Sequence, residues 1–226
     1  MPATETPDVS VVVPVFRNAR CLGELAARID QALSPMRYEL IFVDDASPDD
    51  ARDVIATLAR DDDRVVGVHL PRNLGQNAAV VAGLRRADGD AIVVMDGDLQ
   101  DPPEAVPSLL AALVREDVDV VFAGRTGRYE PRSRHITGRL LKLSLWALSR
   151  GKVPPTAGLF VAMRNAIAKR VAADAPPDPY VLVLIAGEAQ SIATVPVERA
   201  PTSATSYTLR MRWRVARRGL TAAVKR

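Results

Sequence analysis

The chain of 226 residues has a single cysteine, Cys21. No intramolecular disulfide can form, and no multi-cysteine metal site can be built. Histidine is nearly as scarce, with only His69 and His135. Neither pairs with a cysteine, and no nucleophilic triad is legible. His69 falls inside a strand pattern and is expected to be packed, while His135 lies in an arginine cluster. Aromatic residues make up 4% of the chain. Only Tyr207 and Trp213 interleave with the basic C-terminal segment, so nucleic acid is not an expected partner. No apolar run reaches the roughly 18 residues of a bilayer span. The opening MPATETPDVS lacks the basic and apolar regions of a signal peptide, and cytoplasmic residence is the default expectation. There is no P-loop, and no G-x-G-x-x-G follows the first strand.

Hydrophobic residues nevertheless make up 48% of the chain, enough for one sizeable α/β core. The formal net charge of +3 is unevenly spread. The first half is rich in aspartate. Basic residues gather at Arg125, Arg128, Arg132, Arg134 and Arg139, and again from Arg199 to Arg226 with no acidic residue between. An acidic site beside a basic one suits a metal–phosphate substrate and an anionic partner.

Strand patterns occur at Val9–Val13, Tyr38–Val43, Val65–Leu70, Ala91–Met95 and Val118–Ala123, with further candidates at Leu159–Met163 and Ser191–Val197. Helical spacing fills Cys21–Leu33, Asn77–Arg86, Pro103–Glu116, Thr137–Leu148 and Asn165–Ala173. Ser47 and Pro48 predict an N-cap and N1 pair opening a helix that runs to about Arg60. Pro14 is expected to end the first strand. Tyr207–Lys225 alternates apolar and basic residues. Strands alternating with helices predict a mostly parallel sheet, whose ligand crevice lies at the strands' carboxyl ends. Pro14, Asp44, Asp45 and Asp96 all fall at such ends.

The run VVMDGDLQDPPE, Val93–Glu104, is the most informative stretch. A hydrophobic strand ends in Asp96, Asp98 and Asp101, with Gln100 among them and Pro102 and Pro103 behind. A bare D-x-D is commonly an acidic turn. At a strand's end, with an amide and a double proline, it suits a hard divalent cation, Mg²⁺ or Mn²⁺, that also holds substrate phosphates. Metal-assisted transfer from an activated phosphate ester is the chemistry these residues favour. NLGQN, Asn73–Asn77, is a glycine turn into a helix whose amides can approach a ligand; alone it reads as an ordinary turn.

Together VSVVVPVFRN, FVDDASPDD, NLGQNAAVVAGL and VMDGDLQDPPE resemble family 2 glycosyltransferases of GT-A fold. The nearest branch resembles the dolichol- or undecaprenyl-phosphate sugar transferases, over about the first 125 residues. The resemblance implies one domain spanning 1–226, with 8–125 holding nucleotide-sugar and metal, 126–205 the acceptor, and 206–226 a basic tail. It implies an inverting, metal-dependent transfer of a sugar from a nucleotide diphosphate-sugar to a polyprenyl phosphate. Pro14, Val15, Phe16, Asp44, Asp45, Gly75 and Asp96 would border the nucleotide, with Asp45 on the base. Asp96, Asp98 and Gln100 would surround the cation. Arg125, Arg134 and Thr137 would receive the acceptor phosphate, and Asp98, Arg125 and Arg134 would carry catalysis. Arg199, on the diphosphate side, opens RAPTSATSY, which departs from the branch's R-x-x-G-x-S-K-Y by an extra residue and by lacking its glycine and lysine. The basic tail would sit on an anionic membrane surface at the inner face of the cell membrane, or else be solvated.

Two alternatives stand beside this one. The same donor chemistry onto a saccharide or small-molecule hydroxyl would need a carboxylate base, with Asp178 and Glu188 as candidates. A non-catalytic nucleotide-sugar-binding scaffold would need neither.

Overall fold

Runs of β-branched residues build the centre of the molecule because they are covered on both faces. In the computed structural model, β1 (Val9–Val15) and β2 (Tyr38–Asp44) are buried at every position. They pair in parallel from Val9↔Tyr38 to Val15↔Asp44. The structure describes residues 6–34, 36–126, 151–154 and 157–199. β3 (Val65–His69), β4 (Ala91–Val94), β5 (Val120–Thr126), β6 (Val161–Arg164) and β7 (Ile192–Glu198) complete a seven-stranded sheet of order β3-β2-β1-β4-β6-β5-β7. β6 is antiparallel to both its neighbours, and the other pairings are parallel. The sheet is therefore mostly parallel, as the sequence predicts.

Helices cover both faces. Leu22, Leu25, Ile29 and Leu33 of α1 (Ala19–Leu33), Ile55 of α2 (Ala51–Asp61) and Leu109 of α4 (Val106–Arg115) pack on one side. Leu84 of α3 (Gln76–Arg86), Val171 of α5 (Asn165–Asp174) and Ile185 of α6 (Val181–Glu188) pack on the other. A 3-10 turn, Pro103–Ala105, leads into α4, where the sequence predicts one continuous helix.

Two sequence expectations need correction, and one helix, α6, is not anticipated from sequence. β1 does not stop at Pro14, which sits in register with Val43. Pro14 faces the same side as Val12, and the β4 ladder ends at Val12↔Val94, so its missing N–H costs no bond. The second helix starts at Ala51 rather than after Ser47. Ser47 Oγ instead accepts Arg17 N–H at 2.7 Å and donates to Asp49. Finally, the apolar run of α6 has no 3.6-residue period and carries no helical signal in sequence. The predicted helix Thr137–Leu148 and the segment Tyr207–Lys225 lie outside the described residues. No helix among the described residues is long and apolar enough to cross a membrane.

Candidate active site

The carboxyl ends of β1, β2, β4 and β7 meet at one edge of the sheet. At the end of β2, Asp44 and Asp45 are 4% and 2% exposed. Asp44 Oδ1 accepts Ser47 N–H at 2.8 Å, and Asp44 Oδ2 lies 3.2 Å from His69 Nδ1. Asp45 accepts the amides of Leu74 (2.7 Å) and Gly75 (2.8 Å) on its two oxygens. Burial pushes the Asp45 carboxyl up; those two amides oppose the push, and the charge of Asp44 adds to it.

This contact gives NLGQN its shape. Gly75, at φ +94° and ψ 155°, holds a backbone region open essentially to glycine alone. Asn73 Nδ2 donates to the Asp45 carbonyl at 3.3 Å. Gln76 Nε2 donates to Asp96 Oδ1 at 2.6 Å, and Asn77 Oδ1 accepts Val181 N–H at the start of α6. Each polar member of the motif therefore holds a different part of the edge.

Beyond β4, Gly97 packs so tightly that an added Cβ would lie 2.5 Å from Asn18 Nδ2 and 3.0 Å from Val13 Cγ1. Asp98 is exposed, and both its oxygens accept from Gln100: the backbone N–H at 3.1 Å and Nε2 at 2.7 Å. Asp101 is 1% exposed and accepts Arg199 Nε at 2.5 Å on Oδ1. Arg199 Nη2 lies 3.5 Å from Asp96 Oδ2. Burial works against the Arg199 charge, but its bond to Asp101 and the fields of Asp101, Asp96 and Asp98 more than offset this and hold the guanidinium above its ordinary value.

Three of the four non-glycine residues with positive φ among the described residues, Arg17, Ala46 and Leu99, lie in the loops after β1, β2 and β4. Such conformations gather at functional edges.

The site suits a divalent cation. Asp96, Asp98 and Asp101 against Arg199 leave a formal charge of two negative, and all the candidate donors are oxygens. No three acidic, histidine or cysteine side chains among the described residues form a closed metal cage. Asp96 and Asp98 would suit an ion of the Mg²⁺ type, which is commonly held by one or two carboxylates and keeps the rest of its shell for water and substrate phosphate.

A family model described as Glycosyl transferase family 2 matches residues 10–173. The chain belongs to glycosyl transferase family 2. It is similar to undecaprenyl-phosphate 4-deoxy-4-formamido-L-arabinose transferases from Pseudomonas syringae pv. syringae (38% identical over 140 residues) and Proteus mirabilis (37% over 136). The matches cover 61% and 59% of this chain but 41% of each relative, so the chain spans well under half the length of these curated relatives. Its fold is shared with glucosyl-3-phosphoglycerate synthase from Mycobacterium tuberculosis, solved with Mn²⁺, UDP and glucosyl-3-phosphoglycerate. That structure is 21% identical at a TM-score of 0.69, over 96% of this chain and 80% of the other. A mannosyltransferase from Pyrobaculum calidifontis, solved with GDP-Man and Mn²⁺, is 22% identical at a TM-score of 0.67, over 99% and 66% of the two chains. The GT-A architecture expected from sequence is the one observed.

Within this family 2 chain, the structure gathers Asp44, Asp45, Gly75, Asp96 and Arg199 at one edge and puts Asp98 and Gln100 on the same loop as Asp96. Of Pro14, Val15 and Phe16, expected to border the nucleotide, Phe16 alone, just after β1, is exposed, with the Arg17 guanidinium 5.4 Å from its ring centre. Val15 belongs to the core and Pro14 is covered. Arg125 lies in β5, in register with Val197. Arg134, Thr137 and His135 lie outside the described residues. Sequence reasoning missed Gln76, Asn18 and the Asp44–His69 contact. A glutamine after a glycine turn gives no signal, and His69 shows only as one residue of a strand.

Proposed function

We propose that this chain is an inverting glycosyltransferase that moves a sugar from a nucleotide diphosphate-sugar to a polyprenyl phosphate. The observation that carries the reading is the meeting of Asp96, Asp98, Gln76 and Arg199 at the carboxyl edge. It is supported by the similarity to undecaprenyl-phosphate 4-deoxy-4-formamido-L-arabinose transferases, 38% identical over 140 residues in one of them. Phe16 and the Asp44–Asp45 corner offer a surface to the nucleoside. Asp96, Asp98 and the Gln100 side chain would hold Mg²⁺ or Mn²⁺. When bound, the cation neutralises charge gathering on the departing nucleoside diphosphate.

Arg199 adds a fixed positive charge on that side, and its planar fork suits phosphate oxygens. Arg125, Arg134 and Thr137 would receive the acceptor phosphate, whose oxygen attacks the anomeric carbon as the bond to the diphosphate breaks. An acceptor already ionised needs no carboxylate base. In keeping with this, Glu188 is held by Arg170 at 3.1 Å, and Asp178 is an exposed loop residue. The stretch 126–205 would form the acceptor side, and the basic residues from 206 onward would bring the chain to the inner face of the membrane.

Calorimetric titration with UDP, GDP and dTDP, each with Mn²⁺ and again with EDTA, tests the donor half. Binding of one nucleotide only with metal is expected, and Asp98→Ala should abolish it. No binding of any of the three would overturn the reading in favour of a fold without donor chemistry. For the acceptor half, Arg134→Ala should raise the KM for polyprenyl phosphate and leave that of the donor unchanged.

A further inference from the structure

The most deeply buried carboxylate of the acidic run is Asp101, outside the D-G-D pair. Its Oδ1 accepts Arg199 Nε, and its Oδ2 is buried with no hydrogen-bond partner among the described residues. A carboxylate withdrawn from water in this way needs a compensating charge close by. Among the described residues Arg199 alone supplies one, from 98 positions along the chain at the end of β7. Pro102 and Pro103 follow Asp101 directly, and Pro103 opens the 3-10 turn, so the backbone carrying this carboxylate is restrained.

The bond also fixes the guanidinium. Arginine has five N–H donors in a rigid plane. Arg199 commits Nε to Asp101 and reaches Asp96 only through a longer Nη2 contact of 3.5 Å. Its other N–H groups have no acceptor among the described residues. Asp101 thus draws the guanidinium off Asp96, a carboxylate expected to hold the cation, and leaves its outer donors free for an anion.

We infer that Asp101 is a positioning residue: it anchors Arg199 by its Nε edge beside Asp96, so that the remaining guanidinium donors face the donor's diphosphate. This rests on the donor assignment made above. It differs from a purely structural ion pair in one measurable respect. Loss of the anchor must weaken recognition of the second phosphate selectively, because a monophosphate does not extend to the group Arg199 addresses.

The test is titration of the full chain at saturating Mn²⁺ with UDP and UMP, with GDP and GMP, and with dTDP and dTMP. Asp101→Asn should weaken the diphosphate that binds about tenfold, as expected for one charge-assisted contact, and leave its monophosphate unchanged. Arg199→Ala should do the same, and the double variant should be no weaker than Arg199→Ala. Wild-type diphosphate affinity in Asp101→Asn, equal losses for di- and monophosphate, or additive losses would each overturn the proposal. If Asp101→Asn does not fold, Arg199→Lys decides. It keeps the compensating charge and loses the planar fork, so a selective loss of diphosphate affinity is expected and an unchanged one refutes the anchor. If the wild-type chain binds none of UDP, GDP and dTDP with Mn²⁺, the donor reading fails and this inference falls with it. Wild-type binding that the variants leave intact sinks the inference alone.

Discussion

The side chain of Asn18 donates from Nδ2 to the carbonyl of Gly97 at 2.8 Å, tying the loop after β1 to the middle of the D-G-D pair. Asn18 Oδ1 meanwhile accepts Phe16 N–H at 3.0 Å. One amide therefore holds the exposed Phe16 and the acidic loop in a fixed relation, and the absence of a Cβ at position 97 makes the approach feasible.

Gly97→Ala should cost about 1–3 kcal/mol of stability, the range for forcing a methyl group into packed space. The new Cβ would displace Asn18 Nδ2 and press on Val13 Cγ1. Urea unfolding measures the cost, and Mn²⁺-dependent UDP or GDP binding should weaken in the same variant. A fully stable variant with unchanged binding would show that the loop relaxes around the methyl group.

Gln76 orients Asp96 through a 2.6 Å hydrogen bond. Removal of a group that orients a metal ligand commonly lowers metal affinity about 10- to 100-fold. Gln76→Ala should shift the Mn²⁺ dependence of nucleotide binding by a factor in that range. Its unfolding midpoint should move little, because the contact is only partly buried. A Mn²⁺ titration at fixed nucleotide reads the effect.

The opposite edge of the sheet carries a buried polar network with no part in the site. Ser10 Oγ donates to Glu39 Oε1 at 2.6 Å and accepts Gly89 N–H at 2.8 Å, while Glu39 Oε1 also accepts Asp88 N–H at 2.9 Å. Ser10→Ala strands the Gly89 amide in the interior and should cost about 1–3 kcal/mol. Thermal unfolding should register that loss, and the nucleotide affinity of the folded variant should match wild type.

Asp49 yields a pH prediction. Although burial acts to raise it, hydrogen bonds from Ser47 Oγ and from the amides of Ala19 and Ala51 hold its carboxyl below the ordinary value of 3.8. A lowered folded value means that its stabilisation is complete above pH 3.8 and fades as the pH falls through the lower folded value. The stability difference between wild type and Asp49→Ala should therefore be constant at neutral pH and shrink below pH 3.8. Chemical unfolding across a pH series checks the sign.

What could be read in advance follows physical lines. β1 to β4 were legible because valine-rich runs such as Val9–Val13 have few alternatives to a doubly covered strand. Asp44, Asp45 and Asp96 were legible because the ends of those strands had been located. The start of α2 was not, since Ser47 and Pro48 satisfy local capping rules while a partner 30 residues away, Arg17, claims the Ser47 hydroxyl. The Gln76–Asp96 and Asp101–Arg199 contacts escaped for the same reason: each joins residues distant in sequence, and no local periodicity encodes such contacts.

The antiparallel course of β6 has a consequence for how such a protein can diversify. Because β6 runs against β4 and β5, it restores direction, and β5 and β7 end on the same edge as β1, β2 and β4. The chain leaves β5 at Thr126 and re-enters the sheet at Val161 on that edge too. A connection of another length between those two points adds a loop-closure cost that grows only slowly with length, provided the buried Val153, Leu159 and Phe160 keep their places. No strand register has to change. On the acceptor assignment proposed above, a chimera that exchanges residues 127–150 should keep its nucleotide preference while adopting the acceptor of the parent that supplied the insert.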